Sequence, residues 1–295
     1  MSTTTKGTPS SCGSRPIRRT KVEIETIKAA IYSALEEEHP ATVRGLFYAL
    51  VSRGVIPKTE AAYKSTVVRL AGEMRKAGEL PYWWLADNTR WMRKPDSYDS
   101  VEDALTQTAQ LYRRNLWADA DAYVEVWSEK DAISGVLVDI TAAWNVPLMV
   151  TRGYPSITFL HLAAEAIRAK RKPVFLYYFG DLDPSGVHIP VHVEKEIRKA
   201  APAAEVHFER VAVTEEQIEQ YGLQTRPTKK TDSRSKSFVG ESVEVDAIPP
   251  STLRALVEGR IAPHVDPYQL AAVEAAEESE RGSLLALARA WREAR

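Results

Sequence analysis

Val174-Phe175-Leu176-Tyr177-Tyr178-Phe179-Gly180-Asp181-Leu182-Asp183-Pro184-Ser185-Gly186 begins as a continuous apolar and aromatic run and breaks off into a polar turn. An unbroken run of this kind is the pattern of a strand buried on both faces, as in a parallel sheet covered by helices. Asp181 and Asp183 fall where the strand gives way. At strand spacing two carboxylates one residue apart point to the same side and can share a hard cation. Pro184 suits the first turn of a following helix, which residues 187–198 can form. A polar turn that caps this helix is the other reading. In open α/β sheets, sites are built beyond the carboxyl ends of the strands.

Outward from this strand, the texture repeats. Residues 123–127 and 147–150 read as earlier strands, each followed by a helix, over 132–144 and up to 169. Residues 205–209 read as a fourth strand with a helix over 214–221, and 243–247 as a last strand. Helices over 250–259 and 267–295 close the chain. Alternating strands and helices predict an α/β fold with a mostly parallel sheet covered by helices. Residues 224–238 interrupt the alternation with Arg226, Lys229, Lys230, Arg234 and Lys236 against Asp232. They read as a basic loop, either a solvated insertion or a nucleic-acid contact.

The N-terminal part is different. Residues 1–20, polar and without an apolar core, read as a disordered tail rather than a signal peptide. Helices are expected over 22–38, 43–52 and 59–76, with Gly54 and Gly78 as stops. Residues 80–90, with Trp83 and Trp84, are expected to form a wing. Three helices with a short turn before the third match a winged-helix DNA-binding domain over 21–95, and also other interaction modules. Lys64, Arg69 and Arg75 are the phosphate-contacting candidates on the third helix. A linker helix is expected within 96–120, before an α/β domain over 121–295.

Bulk composition sets limits. The chain of 295 residues is 44% hydrophobic, and no apolar run approaches the about 20 residues a membrane span needs. The single cysteine, Cys12, excludes an intrachain disulfide and a Cys-based zinc site, so a reducing, cytoplasmic location is expected, nucleoid-associated in a prokaryote. Net charge is -1, but residues 1–95 hold 16 Lys and Arg against 9 Asp and Glu, while the remainder holds 23 against 31. A basic module beside an acidic one fits duplex DNA as partner and a metal-binding site, or two solvated surfaces.

Glu129 follows the first strand of the α/β part, and Asp181 and Asp183 the third. If those strands are neighbours, the three carboxylates converge at one sheet edge. Oxygen ligands without Cys or His favour Mg²⁺. Glu129 also reads as a helix N-terminal acid, and Lys130 as a solvated cation. Arg152, Tyr154 and Ser156 follow the second strand, as DNA contacts or as a plain strand-end turn. Asp246 reads as a helix cap or a ligand, and His188 and His192, one turn apart, as a ligand pair or, without a third ligand, as two residues of one helix face.

Glu129-Lys130 after a first strand and Asp181-Leu182-Asp183-Pro184-Ser185-Gly186 after a later one resemble the Toprim domain. The longer motif is similar to the form in the DNA-cleaving subunit of topoisomerase VI and in the related meiotic double-strand-break protein. Upstream, Arg44-Gly45-Leu46-Phe47-Tyr48 looks like that family's Arg-x-x-Tyr-Tyr segment, with Phe47 in place of the first tyrosine. The resemblance implies Mg²⁺ held by Glu129, Asp181 and Asp183, and Tyr48 attack on the DNA backbone to form a phosphotyrosyl link. Arg44 would stabilise the phosphate, with Lys130 beside it. It further implies a homodimer that makes a double-strand break. The chain has no Gly-rich nucleotide loop, so strand passage would need a separate ATPase protein. The alternatives are a hydrolytic Toprim nuclease of a defence or repair system, and a non-catalytic DNA-binding partner of another enzyme. Tyr48 and Arg44 have plain readings too, as a packing residue and a surface helix charge.

Overall fold

A computed structural model describes residues 19–86, 97–227 and 240–293. Residues 1–18, most of the basic loop including Lys229 and Lys230, and residues 87–96 lie outside them.

The N-terminal helices start where side-chain oxygens can satisfy free backbone N–H groups. Thr20 and Glu23 form a reciprocal cap at α1 (Lys21–Glu37). Thr42 accepts from the Gly45 amide at 2.8 Å to open α2 (Val43–Ser52). Thr59 caps α3 (Glu60–Ala62). The expected third helix continues to Lys76, but not as one α-helix. A π-helical segment, Tyr63–Val68, separates α3 from α4 (Arg69–Lys76). Gly54 (φ 68°) and Gly78 (φ 77°) take the left-handed conformation that closes α2 and α4. Ile31, Leu35, Leu46, Leu50, Val67 and Leu70 form the centre of one core.

The expected wing is not formed by its described residues. Tyr82–Trp84 is a 3-10 turn, and Leu85 makes a single parallel bridge to Ala41. The Trp84 indole packs against His39 and Tyr32, while Trp83 stays exposed. The linker helix is shorter than expected: α5 (Val101–Leu111) starts at a Ser100 cap, and the chain then turns at Tyr112. Tyr112 is held by Glu280, and the Arg114 amide by Glu277. Both acids belong to α11 (Pro267–Glu293), against which α5 packs.

The α/β part contains β1 (Tyr123–Ser128), α6 (Asp131–Ala143), β2 (Leu148–Val150), α7 (Ile157–Lys170), β3 (Val174–Phe179), α8 (Pro184–Ala200), β4 (Val206–Ala212), α9 (Glu215–Tyr221) and α10 (Pro250–Ile261). The strands form one parallel sheet in the order β2-β1-β3-β4. Side chains alternate between the faces as the pleat requires. Val124, Val126, Tyr177 and Phe179 join α6 and α10 in one core. Tyr123, Trp127, Leu176 and Tyr178 join α7 and α8 in the other. Both faces are therefore covered, which is why the central strand β3 reads as an unbroken apolar run.

The expected last strand is a correction. Val243 makes one antiparallel bridge to Leu182, and Val245–Ala247 is a 3-10 turn. The alternation itself is real, because Val243 and Val245 are fully buried while Glu244 and Asp246 point the other way, into charge. What stands opposite is the turn after β3, too short to pair as a strand.

Candidate functional site

β1 and β3 are neighbours, in register from Tyr123↔Val174 to Ser128↔Phe179. Their carboxyl ends therefore deliver Glu129 and the Asp181-Leu182-Asp183 turn side by side. The Glu129 amide donates to the Phe179 carbonyl at 2.8 Å. Its carboxylate comes back to accept the Asp181 amide at 3.0 Å. Gly180 makes room for this: a Cβ there would stand 2.4 Å from Glu129 Oε2 and 2.7 Å from the Tyr178 ring. Burial, and then the Asp181 and Asp183 charges, push the Glu129 carboxyl up to about 7, against the Asp181 amide and Lys130.

Asp181 is buried. Its Oδ1 accepts the Val245 amide at 2.9 Å and pairs with the Lys130 ammonium at 2.9 Å. Burial raises its pKa, with Lys130 as the main opposing charge. Asp183 departs from the expected arrangement. One carboxylate oxygen caps α8 through the Gly186 amide at 2.8 Å, and the other lies 3.7 Å from Arg226. The two aspartates lie beyond the last residue of β3, so they diverge instead of following strand spacing. Both readings of the turn meet here, since the capping residue is also one of the acids. Among the described residues, no three His, Cys, Asp or Glu side chains are gathered as a metal cage.

Two features fix the turn. Gly186 lies so close to the Asp181 carbonyl that an added Cβ would stand 2.1 Å from its oxygen. Arg210, on β4, donates to the carbonyls of Val213 and Gly186 at 3.0 Å each and to that of Asp181. Burial lowers the Arg210 pKa, with Tyr178, Glu129 and Asp181 opposing.

The charged cluster extends beyond the expected residues. Lys130 reaches Asp246 Oδ2 at 3.0 Å and Glu244 Oε2 at 3.8 Å in addition to Asp181. Burial disfavours its charge, but Asp246, Asp181 and Glu244 outweigh burial and raise its pKa. Asp246 is therefore no helix cap. Its other oxygen accepts the Thr42 hydroxyl at 2.7 Å, tying the start of α2 to the α/β part. Arg226 pairs with Glu244 Oε1 at 2.6 Å, and Arg44 with Glu244 Oε2 at 3.3 Å. Sequence reasoning missed Glu244, although its alternation with Val243, Val245 and Asp246 marks it as facing away from the core.

α2 also carries Tyr48 to this place. Tyr48 is 5% exposed and packs with Phe47, while Lys58 lies 5.6 Å from its ring. Burial and the Glu244 carboxylate raise the phenol's pKa; Arg226, Arg44 and Lys130 act against them. A cleft of about 320 Å³ runs between α1, α2 and the segment around Asp246–Pro250, with Tyr48, Arg53 and Asp246 among its lining residues. Arg44 also contacts Glu60 at 3.3 Å and covers the Tyr63 ring at 3.9 Å, so it is no plain surface charge.

The remaining candidates lie apart. Arg152 pairs with Asp131 at 2.9 Å. Ser156 caps α7. The Tyr154 hydroxyl meets His188 Nδ1 at 2.8 Å, and its ring centroid is 5.8 Å from that of His192. Lys64 pairs with Glu60 and Arg69 with Glu73, each one helical turn away. Arg75 donates to the Tyr82 carbonyl at 3.0 Å. No described helix is long and apolar enough to cross a membrane. No protein-family model matches the chain, and comparison with curated proteins gives no match.

Proposed function

We propose that the chain is a Mg²⁺-dependent DNA-cleaving protein of the same type as the cleaving component of topoisomerase VI, built from a winged-helix-like DNA-binding part and a Toprim-like part. One observation carries the reading: Glu129 and the Asp181–Asp183 turn meet at the carboxyl ends of two adjacent parallel strands. The donor set suits Mg²⁺. It offers oxygen only, and burial beside Asp181 leaves Glu129 with a raised pKa that a divalent cation would reverse. Glu129, Asp181 and Asp183 would hold the ion, Asp183 on turning from the Gly186 amide and Arg226. Bound there, Mg²⁺ supplies charge stabilisation for a phosphodiester in transition.

The residues of the chain divide the remaining work. Arg44, Arg226 and Lys130 hold Glu244, Asp181 and Asp246 in place, and supply positive charge toward a phosphate. Tyr48 is the nucleophile. Its phenolic oxygen gives up its proton and bonds to phosphorus, the bond from phosphorus to a deoxyribose oxygen breaks, that oxygen takes up a proton as a free hydroxyl, and the other DNA end is left on the tyrosine through its phosphate. The resemblance adds a homodimer that places the tyrosine of one protomer against the acids of the other, and a separate ATPase for strand passage.

A specific observation favours a second reading, hydrolysis by water at the same acids. Tyr48 is almost fully buried, and burial with Glu244 holds its phenol protonated. Supercoiled plasmid incubated with Mg²⁺, and run with and without protease treatment, separates these readings. Protein-linked DNA that requires Tyr48 identifies tyrosine attack. Cleavage that survives Tyr48→Phe without an adduct identifies hydrolysis. A non-catalytic DNA-binding role is the conclusion if Asp181→Ala and Asp183→Ala change nothing.

A further inference from the structure

The 3-10 turn Tyr82–Trp84 presents two aromatic side chains that the cleavage reading does not use. Tyr82 is 62% exposed and Trp83 64% exposed. Neither is loose. The Arg75 guanidinium lies 4.7 Å from the Tyr82 ring centroid, and its Nη2 is anchored on the Tyr82 carbonyl. Trp83 stands at 79° to His39 and at 90° to Trp84, with centroids 4.8 and 6.2 Å away. His39 and Trp84 are stacked on each other at 4.9 Å, and Trp84 is buried. The exposed indole thus stands on a packed aromatic base.

We propose that Tyr82 and Trp83 form a stacking platform for unpaired nucleobases, next to the basic end of α4. Single-stranded nucleic acid is held by aromatic faces on which bases stack, together with cations that follow the backbone. Both parts are present here. Arg75 and Lys76 end α4 shortly before the turn, while Glu73 and Glu79 are paired with Arg69 and Lys28. The two cations beside the turn favour a polyanion over an apolar protein surface. An intact duplex hides its base faces, so the platform selects melted, frayed or flipped positions. The proposal rests on the DNA-binding reading and specifies the form of DNA.

The test compares binding of a fluorescein-labelled oligothymidylate and of a blunt duplex, by anisotropy, without Mg²⁺. The full-length chain is used, with Trp83→Ala, Tyr82→Ala and Trp83→Phe. Trp83→Ala is expected to weaken oligothymidylate binding by roughly five- to tenfold, the scale of one lost stacking contact, and to leave the duplex nearly unaffected. Trp83→Phe recovers part of the loss. Unchanged oligothymidylate affinity in Trp83→Ala, with the duplex still bound by the wild type, overturns the platform and leaves the DNA reading standing. Equal losses on both DNAs also overturn it, because the residue is then a general contact. Failure of the wild type to bind either DNA removes the DNA reading itself. A loss that coincides with dissociation of a dimer assigns the surface to a second copy of the chain instead.

Discussion

Arg44 Nε lies 3.3 Å from Glu244 Oε2, and this contact joins the N-terminal helices to the acid cluster of the α/β part. The same guanidinium reaches Glu60 and covers Tyr63, so a single side chain ties α2 to α3 and to the site. Glu244 is 7% exposed at its side chain and is also held by Arg226. Removing Arg44 leaves the carboxylate short of one partner but not isolated. Arg44→Ala is expected to destabilise the protein by about 1–2 kcal/mol, seen as a fall of a few degrees in Tm. Arg44→Lys recovers little, since an ammonium cannot reach both acids while lying flat on a ring. A Tm for Arg44→Ala equal to the wild type's would show that the joint carries no stability.

The two glycines of the turn should differ in how they tolerate alanine. At Gly186 the obstructing atom is the Asp181 carbonyl oxygen, 2.1 Å from an added Cβ. Backbone cannot step aside without moving the first turn of α8. Gly186→Ala is expected to cost about 2–4 kcal/mol and to misplace Asp181 and Asp183 together. At Gly180 the nearest atom is the end of the Glu129 side chain, at 2.4 Å, which can rotate away, and next the buried Tyr178 ring at 2.7 Å, which must shift but is side chain and not backbone. Gly180→Ala should be milder in stability and should lose cleavage more than fold. Denaturant unfolding and plasmid cleavage on both variants check this ordering; equal stability losses would contradict it.

The strands and their order of helices were legible because both sheet faces are covered, which turns a strand such as Val174–Phe179 into an apolar run that nothing else imitates. The helix stops Gly54 and Gly78 were legible for a similar reason: a glycine that ends a helix acts within a single turn. The cluster around Lys130 was only half legible. Asp181 and Glu129 announce themselves at strand ends. Glu244 and Thr42 join through contacts with residues distant in the chain, Arg44 some two hundred positions before one and Asp246 as far after the other, and periodicity carries no trace of such pairings. The described part of the expected wing was misjudged because an aromatic pair such as Trp83-Trp84 satisfies a strand pattern and a 3-10 turn equally well.

Glu129 makes stability depend on pH. Its pKa rises from an ordinary value of 4.5 to about 7 because of burial and the neighbouring Asp181. Between these values the folded state holds a proton that the unfolded state has lost. Stability from this group is therefore fully present at low pH and is lost as pH rises through about 7. In metal-free buffer the loss amounts to about 1–2 kcal/mol once solvent screening is allowed for. Mg²⁺ should reverse it, stabilising the protein more at pH ~8 than at pH ~6, because protons and the ion compete for one carboxylate. Glu129→Gln should flatten the dependence and abolish the Mg²⁺ effect. Thermal melts at the two pH values, with and without Mg²⁺, test both parts. A Glu129→Gln protein still stabilised by Mg²⁺ to the wild-type extent would remove Glu129 from the metal site.

Lys130 poses the sharpest electrostatic test, because its ammonium serves Asp181 at 2.9 Å, Asp246 at 3.0 Å and Glu244 at 3.8 Å at once. Its folded pKa is raised, so its contribution is complete everywhere below its ordinary value of 10.5 and is flat across the neutral range. Lys130→Met removes that cation and leaves the acids facing one another. The cost is expected to be about 3–5 kcal/mol near neutral pH, the scale for stripping one partner from a buried ion pair. The variant should also acquire a pH dependence that the lysine had suppressed. Without the ammonium, mutual repulsion raises the carboxyl pKa values in the folded state, and protonation relieves it. The deficit relative to wild type should then shrink as pH falls from ~8 to ~5. Urea midpoints at the two pH values read this directly, and a deficit that is the same at both would mean that Lys130 acts by packing alone and not as the shared counter-ion of the acids.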